Sequence, residues 1–265
     1  MTNPLPKTRA RRAGFSLVEL LAVVLCVAAA LSLLIPALRV SAAAARQAQC
    51  QNNLRQIALA ALNYEGRCGA FPSGPASLPG GGAPLSWQVV MLPELDLGRM
   101  AETIDFSQPP SFPGNAALTG TFPETLHCPA DPAGGGSYAG VRHHEDTRPA
   151  PTDTGLLRVG RPVTAAACVD GLSHTLLCGE KQSPGGFGTW FALGSGSVRT
   201  VHAAPNADRD AGFGGHHDVG GGRGCLMAVA DGAVRWVPGD VDPAVFERLG
   251  RFADGSLPPE WGVVR

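Results

Sequence analysis

Three stretches of the sequence group polar side chains that could do chemistry. In "NADRDAGFGGHHD", Asn206, Asp208 and Asp210 alternate, as in calcium loops that collect oxygen ligands from a tight turn. Gly212 comes one residue late for an EF-hand, and no glutamate stands at the closing position. The spacing predicts weak calcium binding through Asp208 and Asp210, with a plain polar loop as the alternative.

The other two stretches fit catalysis less well. "RHHEDTR" crowds two histidines and two acids, but neighbouring side chains of an extended loop point apart, so a solvated loop is the simpler interpretation. Ser173 and His174 are adjacent, and a strand would send them to opposite faces, the wrong geometry for a nucleophile and its base. The sequence has no G-x-S-x-G elbow, phosphate loop or H-E-x-x-H helix. We therefore expect no enzymatic activity and no cofactor other than the calcium considered above.

The seven cysteines contain no C-x-x-C pair that would indicate zinc or redox chemistry. Cys26 lies in an apolar run near the amino terminus. Beyond that run, six cysteines permit disulfides without specifying how they pair. They are Cys50, Cys68, Cys128, Cys168, Cys178 and Cys225.

The apolar run that contains Cys26 can span a membrane. The 19 residues from Leu20 to Leu38 carry no charge and would form a helix of about 28 Å, close to the thickness of a hydrocarbon core. Residues 1–18 contain Lys7 and three arginines but no acidic residue, which predicts a cytoplasmic amino terminus and an extracytoplasmic remainder. We expect residues 15–38 to be a single transmembrane helix of the cell inner membrane.

The helical pattern continues beyond the apolar run in "RQAQCQNNLRQIALAALNYEG". Residues 39–66 are expected to form an amphipathic continuation of the helix, with a kink at Pro36 and a stop at Gly66. This continuation argues against an ordinary cleaved signal peptide, the alternative for the apolar run. The expected apolar face comprises Leu54, Ile57, Ala58, Ala61 and Leu62.

Residues 67–265 are expected to form a loop-rich extracytoplasmic domain. The 35 glycines and 23 prolines suit many turns, and the net charge of -1 gives no general affinity for nucleic acid. The pattern of "CLMAVADGAVRWV" predicts a hairpin with a two-residue turn at Asp231-Gly232, and "VTAAACVDGLSHTLLCGE" predicts a similar turn at Asp170-Gly171.

Two further segments, "SWQVVML" and "GTWFAL", are predicted strands. Asp242 followed by Pro243 predicts the start of a short final helix, which a glycine closes. The expected fold class is α+β, with a long amino-terminal helix packed on a mainly antiparallel sheet.

The amino-terminal motif "GFSLVELLAVV", which follows a basic leader, resembles the cleavage and methylation motif of type IV prepilins and type II secretion pseudopilins. The resemblance implies that a prepilin peptidase removes residues 1–14 after Gly14 and methylates the new terminal amine of Phe15. It also implies that Glu19 pairs with that amine on a neighbouring subunit. A carboxylate in hydrocarbon is costly without such a cation; the alternative is that Glu19 snorkels to the membrane surface.

Later segments resemble a large bacterial family of prepilin-like proteins with a domain-of-unknown-function designation. The resemblance extends along nearly the whole chain, although His174 replaces a usual asparagine and "GGHHDVGGGRGC" replaces a simpler turn. Some pseudopilins bind calcium in a carboxyl-terminal loop, which adds to the calcium hypothesis. The segments are "NNLRQIALAALNYE", "AFPSG", "SWQVVMLPEL", "HCPADP", "DGLSHTLLCGE" and "DGAVRWV".

Together these features predict a structural subunit that assembles through its amino-terminal helix into a pilus or a type II secretion-type pseudopilus. The expected partners are prepilin peptidase, other pilin-like subunits and membrane lipid, with no nucleic acid and no small-molecule substrate. The alternative is a membrane-anchored extracytoplasmic binding module that forms no filaments. An anchored hydrolase is the least favoured, because the sequence displays no nucleophile or metal site.

Overall fold

The chain divides into two compact units, Met1–Ala44 and Ala45–Arg265. Gly14, Phe15, Asp210 and residues 143–148 of the "RHHEDTR" stretch lie outside the described residues. The computed structural model describes residues 16–73, 85–132, 135–142, 155–157, 160–182, 190–192, 197–208, 212–219, 222–253 and 255.

The helices are α1 Leu17–Cys68, α2 Trp87–Val90, α3 Gly98–Ala101, α4 Pro113–Thr119 and α5 Pro243–Leu249. Pro36 lies inside α1. The predicted stop at Gly66 is wrong, because α1 continues to Cys68. Gly69 follows with a φ of 76°, the left-handed conformation that ends many helices and favours glycine.

The carboxyl-terminal part of α1 packs on the sheet of the second unit. Four residues of the predicted apolar face are fully buried, and Leu62 is partly buried against the same core. The 3.6-residue period therefore identified the packed face correctly. The fully buried residues are Leu54, Ile57, Ala58 and Ala61.

The sheet contains β1 Tyr138–Arg142, β2 Leu176–Glu180, β3 Val198–Thr200, β4 Asp218–Val219, β5 Gly222–Val229 and β6 Val234–Pro238. The strand order is β3-β1-β2-β5-β4, and β6 also pairs with β5. Among these strands, β1 and β3 are parallel and the other pairs are antiparallel. The α+β class and the mainly antiparallel sheet are thus confirmed.

Strand β5 separates two apolar clusters because its side chains alternate between the two faces of the sheet. Leu226 and Ala228 join the cluster that contains the buried face of α1. Met227 and Val229 join the opposite cluster, which includes residues of α5. Asp242 begins α5 as predicted, and its Oδ1 accepts a hydrogen bond of 2.8 Å from the Ala244 N–H.

The predicted hairpin between β5 and β6 is present, but its turn is longer than two residues. The last paired residues are Ala228 and Val234. Within the turn, Gly232 has a φ of 91°, and Asp231 Oδ1 accepts a hydrogen bond of 2.9 Å from the Ala233 N–H. The Asp-Gly pair therefore marks the turn without setting its length.

The segment "SWQVVML" is not a strand. Trp87–Val90 forms α2, and a 3₁₀ helix, Leu92–Leu95, follows it. Three consecutive residues from Trp87 are buried, which the alternating faces of a half-exposed strand do not allow. Distant partners fix the turn: Gln88 Nε2 donates to the Tyr138 carbonyl at 3.0 Å.

The other two predicted β elements are also wrong. Within the described part of "GTWFAL", Ala192 forms an isolated bridge with Leu85 instead of a strand. The predicted Asp170-Gly171 hairpin is absent from the described residues 160–182. These two residues belong to a short connection between two 3₁₀ helices, Ala165–Ala167 and Leu172–His174. The hydroxyl of Thr164 caps the first of them by accepting a hydrogen bond from the Ala167 N–H, so local capping replaces strand pairing.

Candidate functional site

Ser16 and Glu19 form a reciprocal hydrogen-bonded cap at the start of α1. The Ser16 N–H and hydroxyl donate to Glu19 Oε2 at 2.9 and 3.1 Å, and the Glu19 N–H donates to Ser16 Oγ at 3.2 Å. This arrangement is a capping box, which satisfies N–H groups that the first helical turn leaves unpaired. The sequence reasoning missed this local partner of Glu19. The pairing of Glu19 with a neighbouring subunit stays a prediction.

The first part of α1 exposes its apolar side chains to the surroundings. Leu20, Leu21, Val23 and Val24 are each more than half exposed. An 18-residue window of α1 has a mean hydropathy of 2.8, and none of it is buried. In the part of the chain that the structure describes, α1 alone is long and apolar enough to cross a membrane. It is compatible with a single-pass anchor or with a signal sequence.

The side chains of the candidate calcium loop have partners within the protein. Asn206 Oδ1 accepts a hydrogen bond of 2.8 Å from Gln182 Nε2. Asp208 Oδ2 lies 3.1 Å from His202 Nε2. Because Asp210 lies outside the described residues, calcium binding through Asp208 and Asp210 stays a prediction.

Four buried side chains from distant parts of the chain meet in the second unit. Cys50 of α1 and Cys128 form a disulfide that joins residues 78 positions apart. Glu180 and His217 lie against it, and the two sulfurs, a carboxylate oxygen and an imidazole nitrogen all lie within 4.8 Å of one another. The exposed fractions are 0% for Cys50, 2% for Cys128, 2% for Glu180 and 6% for His217. We refer to these four residues as the Cys–Glu–His cluster.

The imidazole of His217 contacts both the carboxylate and a disulfide sulfur of the cluster. Its Nε2 lies 3.1 Å from Glu180 Oε1 and 3.4 Å from Cys128 Sγ. Glu180 Oε1 also lies 3.6 Å from Cys128 Sγ. The second carboxylate oxygen, Oε2, accepts a hydrogen bond of 2.9 Å from the Leu226 N–H of β5. The sheet therefore fixes the carboxylate so that its other oxygen faces sulfur and imidazole.

Ser137 positions the "HCPADP" loop that carries Cys128. Its Oγ accepts a hydrogen bond of 3.0 Å from the Cys128 N–H and donates one of 3.0 Å to Asp131 Oδ2. Asp131 Oδ1 in turn lies 3.4 Å from His216 Nε2. The two adjacent histidines thus have different partners: His216 faces Asp131, whereas His217 faces the sulfur.

A glycine lets the histidine segment approach the carboxylate closely. A Cβ atom on Gly215 would lie 2.5 Å from Glu180 Oε2 and 2.9 Å from the Gly224 carbonyl oxygen. The neighbouring Gly214 N–H donates to the Glu180 carbonyl at 3.0 Å. This approach explains why glycines precede the histidine pair.

A pocket of about 250 Å³ opens beside the histidine pair. His216 is 25% exposed and the side chain of His217 is 4% exposed, so the pocket leads from solvent towards the buried cluster. It is lined by Gln182, Gly215, His216, His217, Asp218 and Arg223.

Burial suppresses the ionisation of groups around the cluster. It lowers the pKa of Lys181 to about 8, and the charge of Arg199 acts in the same direction. It raises the pKa of the Cys178 and Cys225 thiols, so both stay protonated near neutral pH. Since the thiolate is the reactive form of cysteine, these two buried thiols are chemically inert there.

Sequence reasoning missed the Cys–Glu–His cluster. Three of its residues lie in segments that carry the family resemblance or the candidate calcium loop. These segments are "HCPADP", "DGLSHTLLCGE" and "GGHHD". Spacing along the chain could not show that Cys50 pairs with Cys128 or that His217 meets Glu180, because the contacts depend on the tertiary fold. The even number of cysteines beyond the apolar run was the one available signal.

The Ser173–His174 pair differs from its prediction. Ser173 Oγ lies 3.1 Å from His174 Nδ1, so the two side chains do not diverge. The reason is local: Leu172–His174 is a 3₁₀ helix, whereas the prediction assumed a strand. The contact lies at the surface, in contrast to the buried Cys–Glu–His cluster.

Comparison with known families gives one match. The model of the family described as "Protein of unknown function (DUF1559)" matches residues 42–203, which is more than half of the chain. The chain therefore belongs to this family. The matched range contains Cys50, Cys128 and Glu180 and ends before His217. No match was found among the curated proteins or among the solved structures.

Proposed function

We propose that the chain is a prepilin-like structural subunit that assembles through α1 into a pilus or a type II secretion-type pseudopilus. The exposed apolar surface of the first part of α1 is the main support. Apolar surface in water costs about 25 cal/mol per Å², so lipid or apolar helices of other subunits must cover it. The family match begins at residue 42. It therefore supports the proposal through the part of the chain that follows the apolar run and not through the run itself.

The proposal includes processing between Gly14 and Phe15. Removal of the leader frees the Phe15 amine next to the capped first turn of α1. The Ser16 hydrogen bonds orient the Glu19 carboxylate at this end of the helix, where the Phe15 amine of a neighbouring subunit would neutralise it. This pairing offsets the cost of placing a carboxylate near hydrocarbon.

The proposal also assigns a topology and a set of partners. The amino terminus lies in the cytoplasm because the leader is basic, and the main domain lies on the other side of the inner membrane. Prepilin peptidase, other pilin-like subunits and lipid are the partners. The role requires no catalysis, nucleic acid or small-molecule substrate.

The alternative is a membrane-anchored extracytoplasmic binding module. In that case lipid alone would cover the apolar surface of α1, and each copy would remain separate. The two functions therefore differ in whether the apolar parts of α1 from two copies come into contact.

Cys26 provides a test of that contact, because it is an exposed cysteine in the apolar part of α1. The full chain carrying Cys68→Ser, which removes the other exposed free cysteine of the described residues, is produced in cells that contain prepilin peptidase. Membranes are oxidised with copper-phenanthroline and analysed without reductant. Assembly predicts a disulfide-linked dimer.

Two controls make the result specific. The additional change Cys26→Ser must abolish the dimer, and cells without prepilin peptidase must lose most of it because the leader blocks assembly. A chain that remains monomeric at several expression levels, with Cys26 accessible to a membrane-permeant maleimide, would favour the anchored module.

A further inference from the structure

We propose that in the dithiol state Cys50, Cys128, Glu180 and His217 form a tetrahedral Zn²⁺ site, which formation of the Cys50–Cys128 disulfide abolishes. Two thiolates, an imidazole nitrogen and a carboxylate oxygen are donors that Zn²⁺ accepts in four-coordinate sites. All four side chains are at least nine-tenths buried. The inference does not depend on filament assembly.

The distances between donor atoms support this assignment. With ordinary zinc–ligand bond lengths, a tetrahedral site has edges of about 3.6 Å from sulfur to nitrogen or oxygen and about 3.4 Å from nitrogen to oxygen. The corresponding distances are 3.4 Å from Cys128 Sγ to His217 Nε2, 3.6 Å to Glu180 Oε1 and 3.1 Å between the last two atoms. Three edges of a zinc tetrahedron are therefore already formed.

Cys50 would supply the fourth ligand after the disulfide opens, since its sulfur lies within 4.8 Å of the Glu180 and His217 donor atoms. The sulfur atoms of Cys50 and Cys128 would move from bonding distance to about 3.8 Å, the sulfur–sulfur edge of the same tetrahedron. Cys50 lies on α1 and Cys128 on a loop, so a side-chain rotation can supply most of this movement. In the disulfide neither sulfur is a thiolate, and the two states exclude each other.

The surroundings provide the support that a metal site needs. The Leu226 N–H fixes the second oxygen of Glu180 at 2.9 Å, and hydrogen bonds of this kind orient metal ligands. The pocket lined by His216 and His217 gives an ion a path from solvent. Asp131, which faces His216, adds negative charge near that path.

The exchange between the two states balances. When Zn²⁺ binds, the thiols of Cys50 and Cys128 become thiolates and release two protons. The oxidant is a molecule or protein that carries a reducible disulfide. When it reacts with the zinc-bound thiolates, two electrons pass to its disulfide. The oxidant takes up two protons and becomes a dithiol, Cys50 and Cys128 form their bond, and Zn²⁺ leaves. The dithiol is the state in which the chain is synthesised, so zinc would occupy the site in a domain that folds before the two cysteines are oxidised.

Cobalt serves as the probe, because tetrahedral Co²⁺ with thiolate ligands has characteristic absorption. The full chain in detergent is reduced with a phosphine, freed of metal and titrated with Co²⁺ and then with Zn²⁺. We expect one Co²⁺ per chain with tetrahedral and thiolate-to-metal bands, which Zn²⁺ bleaches. The oxidised chain should show neither band.

Variants identify the ligands. His217→Ala should weaken Co²⁺ binding of the reduced chain at least about tenfold and shift the spectrum, whereas the control His174→Ala, at a surface histidine, should bind like the parent. Cys128→Ser should weaken the thiolate-to-metal absorption, because it removes one of the two thiolate ligands, and Cys168→Ser is its matched control. A reduced parent chain without tetrahedral bands, or equal spectra and affinities for His217→Ala and His174→Ala, would overturn the proposal.

Discussion

Glu19 and Ser16 hydrogen-bond each other in both directions at the start of α1. The cap needs a hydrogen-bond acceptor at Glu19 but does not need its negative charge, because glutamine also serves at this position of a capping box. The proposed pairing with a neighbouring Phe15 amine does need the charge. The two roles of Glu19 can therefore be separated by substitution.

We predict that Glu19→Gln strongly reduces incorporation into filaments or co-purification with pilin-like subunits, because it removes the charge and keeps the cap. Ser16→Ala should weaken the start of the helix by about 1 kcal/mol yet retain most of the incorporation, because it keeps the carboxylate. The measurement is the amount of each variant in sheared filaments at equal expression.

Membrane insertion is the control for both variants, since the uncharged run and the basic leader remain. Equal assembly of Glu19→Gln and the parent would remove the main mechanistic support for a filament subunit. Full assembly of Glu19→Gln together with a strong defect in Ser16→Ala would instead leave Glu19 with a capping role alone.

The mature amino terminus is the second prediction. In cells with active prepilin peptidase, we expect mass spectrometry of the membrane-extracted chain to find methylated Phe15 as the first residue. Cells without the peptidase provide the control and should retain residues 1–14. An intact leader in peptidase-containing cells would contradict the prediction.

Local signals account for the parts of the fold that the sequence predicts. Apolar residues such as Leu54 and Ile57 are three or four positions apart, which places them on one face of α1, and that face is buried. The start of α5 follows from Asp242, which caps the helix, and from the proline after it. Trp87–Val90 was predicted wrongly, because its apolar composition suits a strand as well as the helical turn that it forms. Its helical turn depends on distant partners such as the Tyr138 carbonyl.

The Cys–Glu–His cluster depends even more on contacts between distant parts of the chain, which local sequence signals do not predict. Cys50 and His217 are far apart in the sequence, and no local pattern relates their positions. Their meeting depends on the packing of α1 against the sheet. In contrast, Ser16 and Glu19 have the spacing of a capping box, so their contact could have been recognised from sequence.

The third prediction concerns the disulfide. Replacing Cys50 and Cys128 together by alanine should lower the free energy of unfolding of the second unit by about 2–5 kcal/mol, because the crosslink closes a long loop; the two cysteines are 78 positions apart. Denaturation followed by tryptophan fluorescence, with a chelator present, measures the change. Cys68→Ala, at an exposed free cysteine, is the control and should change the stability little.

The fourth prediction tests the close approach at Gly215. A methyl group there would meet Glu180 Oε2 and the Gly224 backbone, so Gly215→Ala should destabilise the second unit by about 1–3 kcal/mol. Gly66→Ala is the matched control, because its new methyl group would meet nothing within 4 Å and alanine favours a helix interior. Denaturation midpoints that fall equally for both variants would contradict the specific role of Gly215.

The fifth prediction is a pH dependence that arises from Cys168. Burial raises the pKa of this thiol from 9.0 to about 11, with Asp170 acting in the same direction. The folded chain therefore resists forming the thiolate, so its contribution to stability is complete below about pH 9 and is lost as the pH rises to about 11. The free energy of unfolding of the parent, minus that of Cys168→Ala, should fall across this window. Denaturation in anaerobic buffer at several pH values measures it. A constant difference would show that Cys168 ionises equally easily in both states, and a rising one that it ionises more easily in the folded chain; either would contradict the prediction.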